Sequence, residues 1–223
     1  MSQPVIFFVT RHGETLLNLL GRVQGWSDSP LTPQGVQDAC LLAEMMESIP
    51  FHAAFSSDSG RAVETARLIL SRGNREGLSL RQDRRLREWC FGSLEALPMK
   101  ELTEAISRGL GGALTMGEMN ARMEELPDAI KQADRSGWAE GFDGVRRRLI
   151  SFFRQTAEET SAQGGGNILV VSHAFSIKTV LYLLAPQRLG EVEKIQNASV
   201  TTILWREGVF EVQAVNQRIL SSQ

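Results

Sequence analysis

The 223-residue sequence predicts an α/β fold, a three-layer sandwich with a mostly parallel central sheet, an antiparallel edge strand and helices on both faces. Short apolar, strand-like runs alternate with longer segments of helical periodicity. The runs at 4–10 and 168–172 are almost wholly apolar, as in strands that are buried on both faces. The last two runs, 200–206 and 209–216, are joined through a Glu-Gly pair, which predicts an antiparallel hairpin.

The first half of the chain predicts two strand–helix pairs and a helix between them. Strand 4–10 leads through a turn at 11–13 into a helix over about 14–21. Thr32 as N-cap and Pro33 at the first helical position then predict a helix that ends near residue 48. Strand 51–56 and helix 58–70 follow.

The second half resumes the alternation after a segment that interrupts it. Strand 78–82 precedes the segment 92–141, in which helices near 98–108 and 119–133 flank a glycine-rich run. We interpret this segment as a mostly helical insertion over the active site of one domain that spans residues 1–223. A helix at 141–162, strand 168–172 and a helix at 173–184 complete the pattern.

Composition narrows the classes of partner. The formal charge of −2, with 42% hydrophobic and 22% charged residues, is typical of a soluble globular protein and gives no reason to expect nucleic acid or an anionic membrane as partner. Cys40 and Cys90 have neither zinc-site nor disulfide-framework spacing, and the apolar run at 5–9 is too short for a membrane span. We therefore expect a cytoplasmic protein, either monomer or homodimer.

Polar side chains follow three of the predicted strands. Arg11 and His12 follow the first strand, Arg61 lies one turn into the helix after the second, and His173 follows strand 168–172. Open parallel sheets bind ligands at the carboxyl ends of their strands, so these four side chains predict one site. His52 begins a strand at the opposite end and is interpreted as structural.

The residue types at this edge suit a phosphate group. Guanidinium groups bind phosphate oxygens in bidentate fashion, and Gly13 allows a tight turn and close backbone approach to an anion. Taken singly, Arg61 could be a solvated helix charge and His173 a satisfied helix-terminal residue. Glu88 could be a surface acid, but Trp89 and Phe91 on either side predict an apolar setting that raises its pKa, as a general acid needs.

The sequence resembles the histidine phosphatase superfamily, also called the phosphoglycerate mutase-like family. The resemblance begins in Arg11-His12-Gly13 with Glu14, Thr15 and Asn18. It continues through the runs 21–35, 56–66, 86–92 and 170–173, and so covers most of the chain outside the segment 92–141. It implies the phosphoglycerate mutase-like form of the α/β sandwich.

The resemblance also implies a phosphohistidine mechanism on a small phosphorylated metabolite, with no cofactor and no metal. His12 would attack phosphorus, and Glu88 would be the proton donor. The phosphoryl oxygens would be clamped by Arg11, Arg61 and His173. The implied substrate-binding residues are Asn18, Thr15, Gln24 and the backbone of Gly25.

The run after Glu88 separates two activities of the family. In the glycolytic mutases this motif reads Glu-Arg-His-Tyr-Gly, and its basic and aromatic residues help to hold the substrate carboxylate. Here Trp89, Cys90 and Phe91 follow Glu88, so we favour a phosphomonoester hydrolase. A phosphoglycerate mutase-type isomerase is the alternative, and a catalytically silent phospho-ligand or partner-binding protein is the second. We expect Trp89 and Phe91 to form an apolar roof over the substrate.

Overall fold

A computed structural model describes residues 3–217 and contains one six-stranded sheet. The strands are β1 (Val5–Arg11), β2 (Phe51–Ser56), β3 (Leu80–Gln82), β4 (Gly166–Ser172), β5 (Val200–Arg206) and β6 (Val209–Gln217). Their order across the sheet is β3-β2-β4-β1-β5-β6. The pairs from β3 to β1 are parallel, while β5 lies antiparallel to both β1 and β6. The predicted fold class is confirmed, with two antiparallel strands at one side of the sheet.

Helices cover both faces of this sheet. They are α1 (Leu16–Leu19), α2 (Pro33–Met45), α3 (Gly60–Leu70), α4 (Met99–Leu110), α5 (Met116–Ala121), α6 (Leu126–Ala133), α7 (Phe142–Ala162) and α8 (Ala174–Leu184). In β4, Ile168 and Val170 pack into the core below α7 and α8, whereas Leu169 and Val171 pack into a second core below α2 and α3. Because successive strand side chains alternate between faces, a continuous apolar run is what a strand between two helical layers requires.

The helix after β1 is shorter than predicted. The prediction spanned about 14–21, but α1 is a single turn, with Thr15 as N-cap in a capping box with Asn18. Leu16 donates its N–H to the carbonyl of Pro30, and Gly21 adopts φ of +61°, a conformation that favours glycine. These tertiary and turn contacts redirect the chain, which local periodicity does not report.

The segment 92–141 contains α4, α5 and α6, and the second of the two helices predicted there is divided. The predicted helix over 119–133 is instead α5 and α6, and Pro127 stands at the start of α6, where its missing N–H costs nothing. From α5, Asn120 donates to the carbonyls of Leu189 and Val192 and accepts from the buried Lys178 of α8. The insertion is thus tied to the loop after α8, while its position over the active site stays a prediction.

Within residues 3–217, no helix has the length and hydropathy needed to cross a membrane.

Candidate active site

His12 lies directly beyond the end of β1, held by backbone contacts on several sides. Its N–H donates to the carbonyl of Ser172 at 3.1 Å, and its own carbonyl accepts from the Asn197 side chain at 2.9 Å. The next N–H, of Gly13, donates to Thr65 Oγ1 at 3.0 Å. With 3% of its surface exposed, the His12 imidazole is buried and has little freedom to reorient.

The hydrogen bonds of His12 determine which ring nitrogen carries the proton. Nδ1 lies 2.7 Å from the carbonyl oxygen of Gly13, which can only accept, so Nδ1 is protonated. Nε2 accepts the Nε–H of Arg61 at 3.2 Å and therefore presents a lone pair. The carbonyl that fixes the tautomer of His12 thus belongs to the adjacent residue, Gly13.

Arg61 connects the elements of the site, because each of its N–H groups has an acceptor. The acceptors are two histidine nitrogens, two carbonyls of the loop that follows Gln24, and one carboxylate. In order they are His12 Nε2 (3.2 Å), His173 Nδ1 (3.0 Å), Gly25 O (2.7 Å), Ser27 O (2.8 Å) and Asp28 Oδ1 (2.9 Å). Asp28 approaches so closely that a Cβ on Gly60, the first residue of α3, would lie 2.6 Å from its Oδ2.

His173 lies between the end of β4 and the start of α8, beside His12. The two imidazole centroids are 5.1 Å apart with an interplanar angle of 60°. Since Arg61 can only donate, Nδ1 of His173 is the acceptor and Nε2 carries the proton, which it donates to Ser57 Oγ at 2.8 Å. The sequence-predicted residues His12, Arg61 and His173 therefore form one hydrogen-bonded cluster.

Burial and positive charge keep both histidines neutral. Burial is the largest cause that lowers the pKa of His12 well below 6.5, followed by the charges of Arg61 and Arg11. For His173 the order is burial, then Arg61, then His12. A neutral imidazole with a bare nitrogen beside guanidinium groups is a nucleophile that does not have to lose a proton first.

Arg11 reaches the same cluster from the last position of β1. Its Nη1 donates to the carbonyl of Ile195 at 2.7 Å, and Nη2 makes a long contact of 3.5 Å with Asn18 Oδ1. Its buried Nε–H has no hydrogen-bond partner among the described residues. Burial lowers the pKa of Arg11 to about 10, so the side chain is a cation at neutral pH with a donor that an anion could use.

The four predicted substrate-binding residues lie together, and all four make hydrogen bonds within the protein. Thr15 Oγ1 accepts from the N–H of Asn18 and donates to Gln24 Oε1 at 2.6 Å. Gln24 Nε2 donates to Ser29 Oγ, and Gly25 uses its carbonyl for Arg61 and its N–H for a carboxylate of a distant segment. Asn18, half-buried and with hydrogen bonds of 3.3–3.5 Å, is the least firmly held. Direct contact of these residues with substrate stays a prediction.

The side chain of Glu88 is buried, and its carboxylate lies against the first turn of α8. Oε1 accepts from the N–H groups of Trp89 and Ser176 and from the Ser176 hydroxyl, whereas Oε2 accepts only the N–H of Phe175 within the described chain. Burial raises the pKa of Glu88, and these N–H groups and the Arg61 charge oppose the rise. The direction is the one predicted, but the cause is enclosure by the protein as a whole and not only by the two aromatic neighbours.

The expectation that Trp89 and Phe91 roof the site needs correction. Both rings are at most 2% exposed and belong to the main core, where Trp89 stacks on Phe175 at 4.7 Å and donates its Nε1–H to Thr179. Cys90 is buried too, and burial raises the pKa of its thiol. His52 is exposed and contacts Gln163, away from the other histidines, as predicted.

Several residues of the site escaped sequence interpretation. Asp28 and Ser57 lie in runs that the family resemblance covers, but nothing in the sequence assigned them to Arg61 and His173. Asn197 is 185 positions from His12, and no local pattern connects them. Among residues 3–217, no three His, Cys, Asp or Glu side chains are grouped so that they could hold a metal ion.

The comparisons with known proteins agree with this geometry. The sequence profile of the histidine phosphatase superfamily (branch 1) matches residues 7–218. The chain is 43% identical over 202 residues to the Yersinia pestis protein named "Probable phosphoglycerate mutase GpmB", covering 90% of this chain and 85% of that protein. The crystal structure of a phosphoglycerate mutase from Bacillus anthracis is 36% identical, with a TM-score of 0.89 and coverage of 96% and 94%.

The same fold occurs in a protein with a hydrolase name. A phosphoserine phosphatase from Entamoeba histolytica superimposes with a TM-score of 0.72 over 96% of this chain and 98% of its own, although only 24% of residues are identical. That likeness concerns the fold, while the profile match and the 43% identical relative concern the family. The chain belongs to the histidine phosphatase superfamily.

Proposed function

We propose that this protein is a metal-independent phosphomonoester hydrolase that transfers the phosphoryl group of a small metabolite to His12 and then to water. The observation that carries the proposal is the bare Nε2 of a neutral, buried His12 enclosed by Arg11, Arg61 and His173. Phosphoryl transfer proceeds through a loose transition state, so it needs positioning and charge stabilisation more than covalent assistance. Two buried guanidinium groups supply that charge.

In the first step, Nε2 of His12 forms a bond to phosphorus as the bond between phosphorus and the alcohol oxygen breaks. Before this attack, Arg61 must turn its Nε–H from Nε2 to a phosphoryl oxygen, because one lone pair cannot both accept a hydrogen bond and attack phosphorus. Arg11 brings a buried Nε–H that has no protein acceptor in the described chain. The proton stays on Nδ1, which donates it in a hydrogen bond to the Gly13 carbonyl, and this bond stabilises the charge that develops on the ring.

Glu88 is the acid of this first step and the base of the second. Burial raises its pKa, which favours the protonated carboxyl relative to an exposed glutamate. Oε2 accepts from only one donor among the described residues, so it has room to carry the proton that a general acid needs. The proton passes to the leaving alcohol oxygen. In the second step Glu88 takes a proton from water as the water oxygen bonds to phosphorus and the bond from Nε2 to phosphorus breaks.

Water is proposed as the final acceptor because of the three residues next to Glu88 in the chain. Trp89, Cys90 and Phe91 are buried in the core, so this segment brings no cation to hold a substrate carboxylate. The alternative is a phosphoglycerate mutase-type isomerase, and the names of the 43% and 36% identical relatives favour it. A catalytically silent phospho-ligand-binding protein is the second alternative, although the chain has the residue type that the family resemblance implies at each catalytic position.

Comparing two products on one substrate separates hydrolase from mutase. The protein is incubated with 3-phosphoglycerate, with and without 2,3-bisphosphoglycerate, and phosphate release and isomer formation are followed together. A parallel incubation uses an aryl phosphate in excess chelator. We expect phosphate release from the aryl ester under chelation and little isomer. Rapid isomerisation with little free phosphate would establish the mutase instead.

Trapping tests the nucleophile and the silent alternative. After brief incubation with ³²P-labelled substrate, quenching in alkali preserves phosphohistidine, and the label should be lost in acid. His12→Ala should carry no label, and His52→Ala, at an exposed histidine away from the cluster, is the matched control that should keep it. Label that persists in His12→Ala contradicts the assignment, and no turnover with unchanged ligand binding in His12→Ala favours the binding protein.

A further inference from the structure

A single carboxylate gathers the backbone of the loop that holds Arg61. Glu95 accepts the N–H groups of three successive residues, Gly25 (3.0 Å), Trp26 (2.8 Å) and Ser27 (3.0 Å). It also accepts the Ser27 hydroxyl at 2.6 Å and the N–H of Phe91 at 3.1 Å. Consecutive N–H groups that converge in this way form an anion-binding concavity, and here the protein's own carboxylate occupies it.

The same loop presents its carbonyl groups to the active site. Gly25 O and Ser27 O accept from Nη2 and Nη1 of Arg61 at 2.7 and 2.8 Å. Glu95 therefore binds the N–H groups of all three loop residues, while Arg61 binds the carbonyls of the first and the last of them. The fit is tight, since a Cβ on Gly25 would lie 2.2 Å from the carbonyl oxygen of Trp89 and 2.5 Å from Glu95 Oε1.

Glu95 is the acceptor for most of the loop's hydrogen bonds on this side, and Trp26 adds a bond from its Nε1–H to the Glu88 carbonyl at 3.1 Å. Five hydrogen bonds end on one carboxylate, and hydrogen bonds to an ionised acceptor are about twice as strong as neutral ones. If the carboxylate is lost, four backbone N–H groups, three of them in this loop, lose their acceptor at once. A glutamine here keeps one acceptor oxygen and cannot serve all five donors, so we expect the loop to shift and its two carbonyls to shift with it.

We propose that Glu95 is a positioning residue which, through the loop 25–27, holds the Arg61 guanidinium against His12 and His173. The inference rests on the proposed function, because it concerns the same site. Glu95 contacts neither histidine, so it acts only through Arg61. The stretch 88–95 would then supply both the proposed proton donor, Glu88, and the residue that positions Arg61.

The contacts from Glu95 through the loop to Arg61 predict the direction in which the pKa values of His12 and His173 change when Glu95 is replaced. The charge of Arg61 is the second cause, after burial, of the lowered pKa of both His12 and His173. If Glu95→Gln lets Arg61 move away, both pKa values rise. Removal of the Glu95 charge by itself, with Arg61 unmoved, would shift them in the opposite direction, because a nearby negative charge favours the imidazolium. The direction thus separates positioning from direct electrostatics.

The experiment is an NMR titration of the imidazoles in the full chain, which contains three histidines. In Glu95→Gln we expect His12 and His173 to titrate higher by on the order of half a pH unit or more, as a displacement of a charge by one or two ångströms would cause. His52 is exposed and serves as the internal control. Glu101→Gln, at an exposed glutamate in α4, is the matched variant and should leave all three unchanged.

A second variant covers the case in which Glu95→Gln does not fold. Ser27→Ala removes the 2.6 Å hydroxyl contact to Glu95 and keeps the carbonyl that Arg61 uses, so a smaller upward shift is expected. Unchanged or lowered pKa values of His12 and His173 in a folded Glu95→Gln, or in Ser27→Ala if the first does not fold, would overturn the proposal. Because the titration needs no turnover, an upward shift in an inactive protein would support the positioning role while the proposed hydrolase fails.

Discussion

Replacement of Arg61 by lysine tests how much the site depends on the fork geometry of one side chain. A guanidinium has five N–H donors, and here each has an acceptor, whereas a lysine ammonium has three. At least two acceptors in a largely buried site lose their donor in Arg61→Lys. Each such loss costs about 1–3 kcal/mol, so the loss of two should lower the free energy of unfolding by about 2–6 kcal/mol.

Activity should fall further than stability suggests. A single ammonium cannot contact His12 and His173 together while it binds the loop carbonyls, and loss of one well-placed donor to a developing charge costs roughly 10²–10³ in kcat. Urea unfolding and initial rates of aryl phosphate hydrolysis measure the two effects. Arg67→Lys, at an exposed arginine of the same helix, is the control and should change unfolding by less than about 0.5 kcal/mol.

Arg61→Lys contradicts this expectation if its free energy of unfolding lies within about 0.5 kcal/mol of the parent's and its rate within about threefold. That outcome would mean that the five contacts contribute little, or that water replaces them without loss.

Three further changes test other parts of the molecule. Glu88→Gln should slow an alkyl phosphate far more than an aryl phosphate, and should abolish the fall in kcat/KM on the alkaline side, because a raised pKa gives Glu88 a proton to lose there; equal loss on both esters speaks against the acid role. Gly35→Ala should destabilise the protein by about 1–3 kcal/mol, since its Cβ would lie 2.2 Å from the Glu14 carbonyl oxygen. Gly144→Ala, in a helix with open space around this position, should stabilise it by about 0.5–1 kcal/mol. Chemical unfolding measures both changes, and equal effects would contradict the packing argument. Burial lowers the pKa of Lys178 to about 8, so between about pH 8 and 10.5 the unfolded chain binds one more proton than the folded protein. The free energy of unfolding should therefore rise with pH over this range, by up to about 3 kcal/mol. Lys178→Met should lack this rise, and a rise that persists in the variant would contradict the assignment.

Local patterns predicted the elements because each element leaves its period in the sequence. The strand 51–56 and the N-cap at Thr32 lie where they were predicted, and the hairpin near the end of the chain pairs as expected. The boundaries that differ from the prediction are the end of α1 and the break between α5 and α6. Contacts with distant residues set the first, and Pro127 at the start of α6 sets the second. Periodicity carries no information on such contacts.

The sequence by itself determined which side chains meet. Parallel strands place their carboxyl ends at one edge of the sheet, so residues that follow β1 and β4 are expected at that edge. His12 and His173 lie there for that reason, and Arg61 reaches them from the first turn of the next helix after β2. The family motifs added the roles, and they too are sequence information. The strand order, which makes β1 and β4 direct neighbours, came only with the tertiary structure.

The tertiary structure alone decided how those side chains are held. Which nitrogen of His12 is bare depends on the Gly13 carbonyl, and the direction of Arg61 depends on a loop that Glu95, seventy positions from Gly25, keeps in place. Whether Trp89 covers a substrate or fills the core depends on what packs against it, which is Phe175. Hydrogen bonds and packing between distant segments are set by distances of a few ångströms, and a one-dimensional pattern does not encode them.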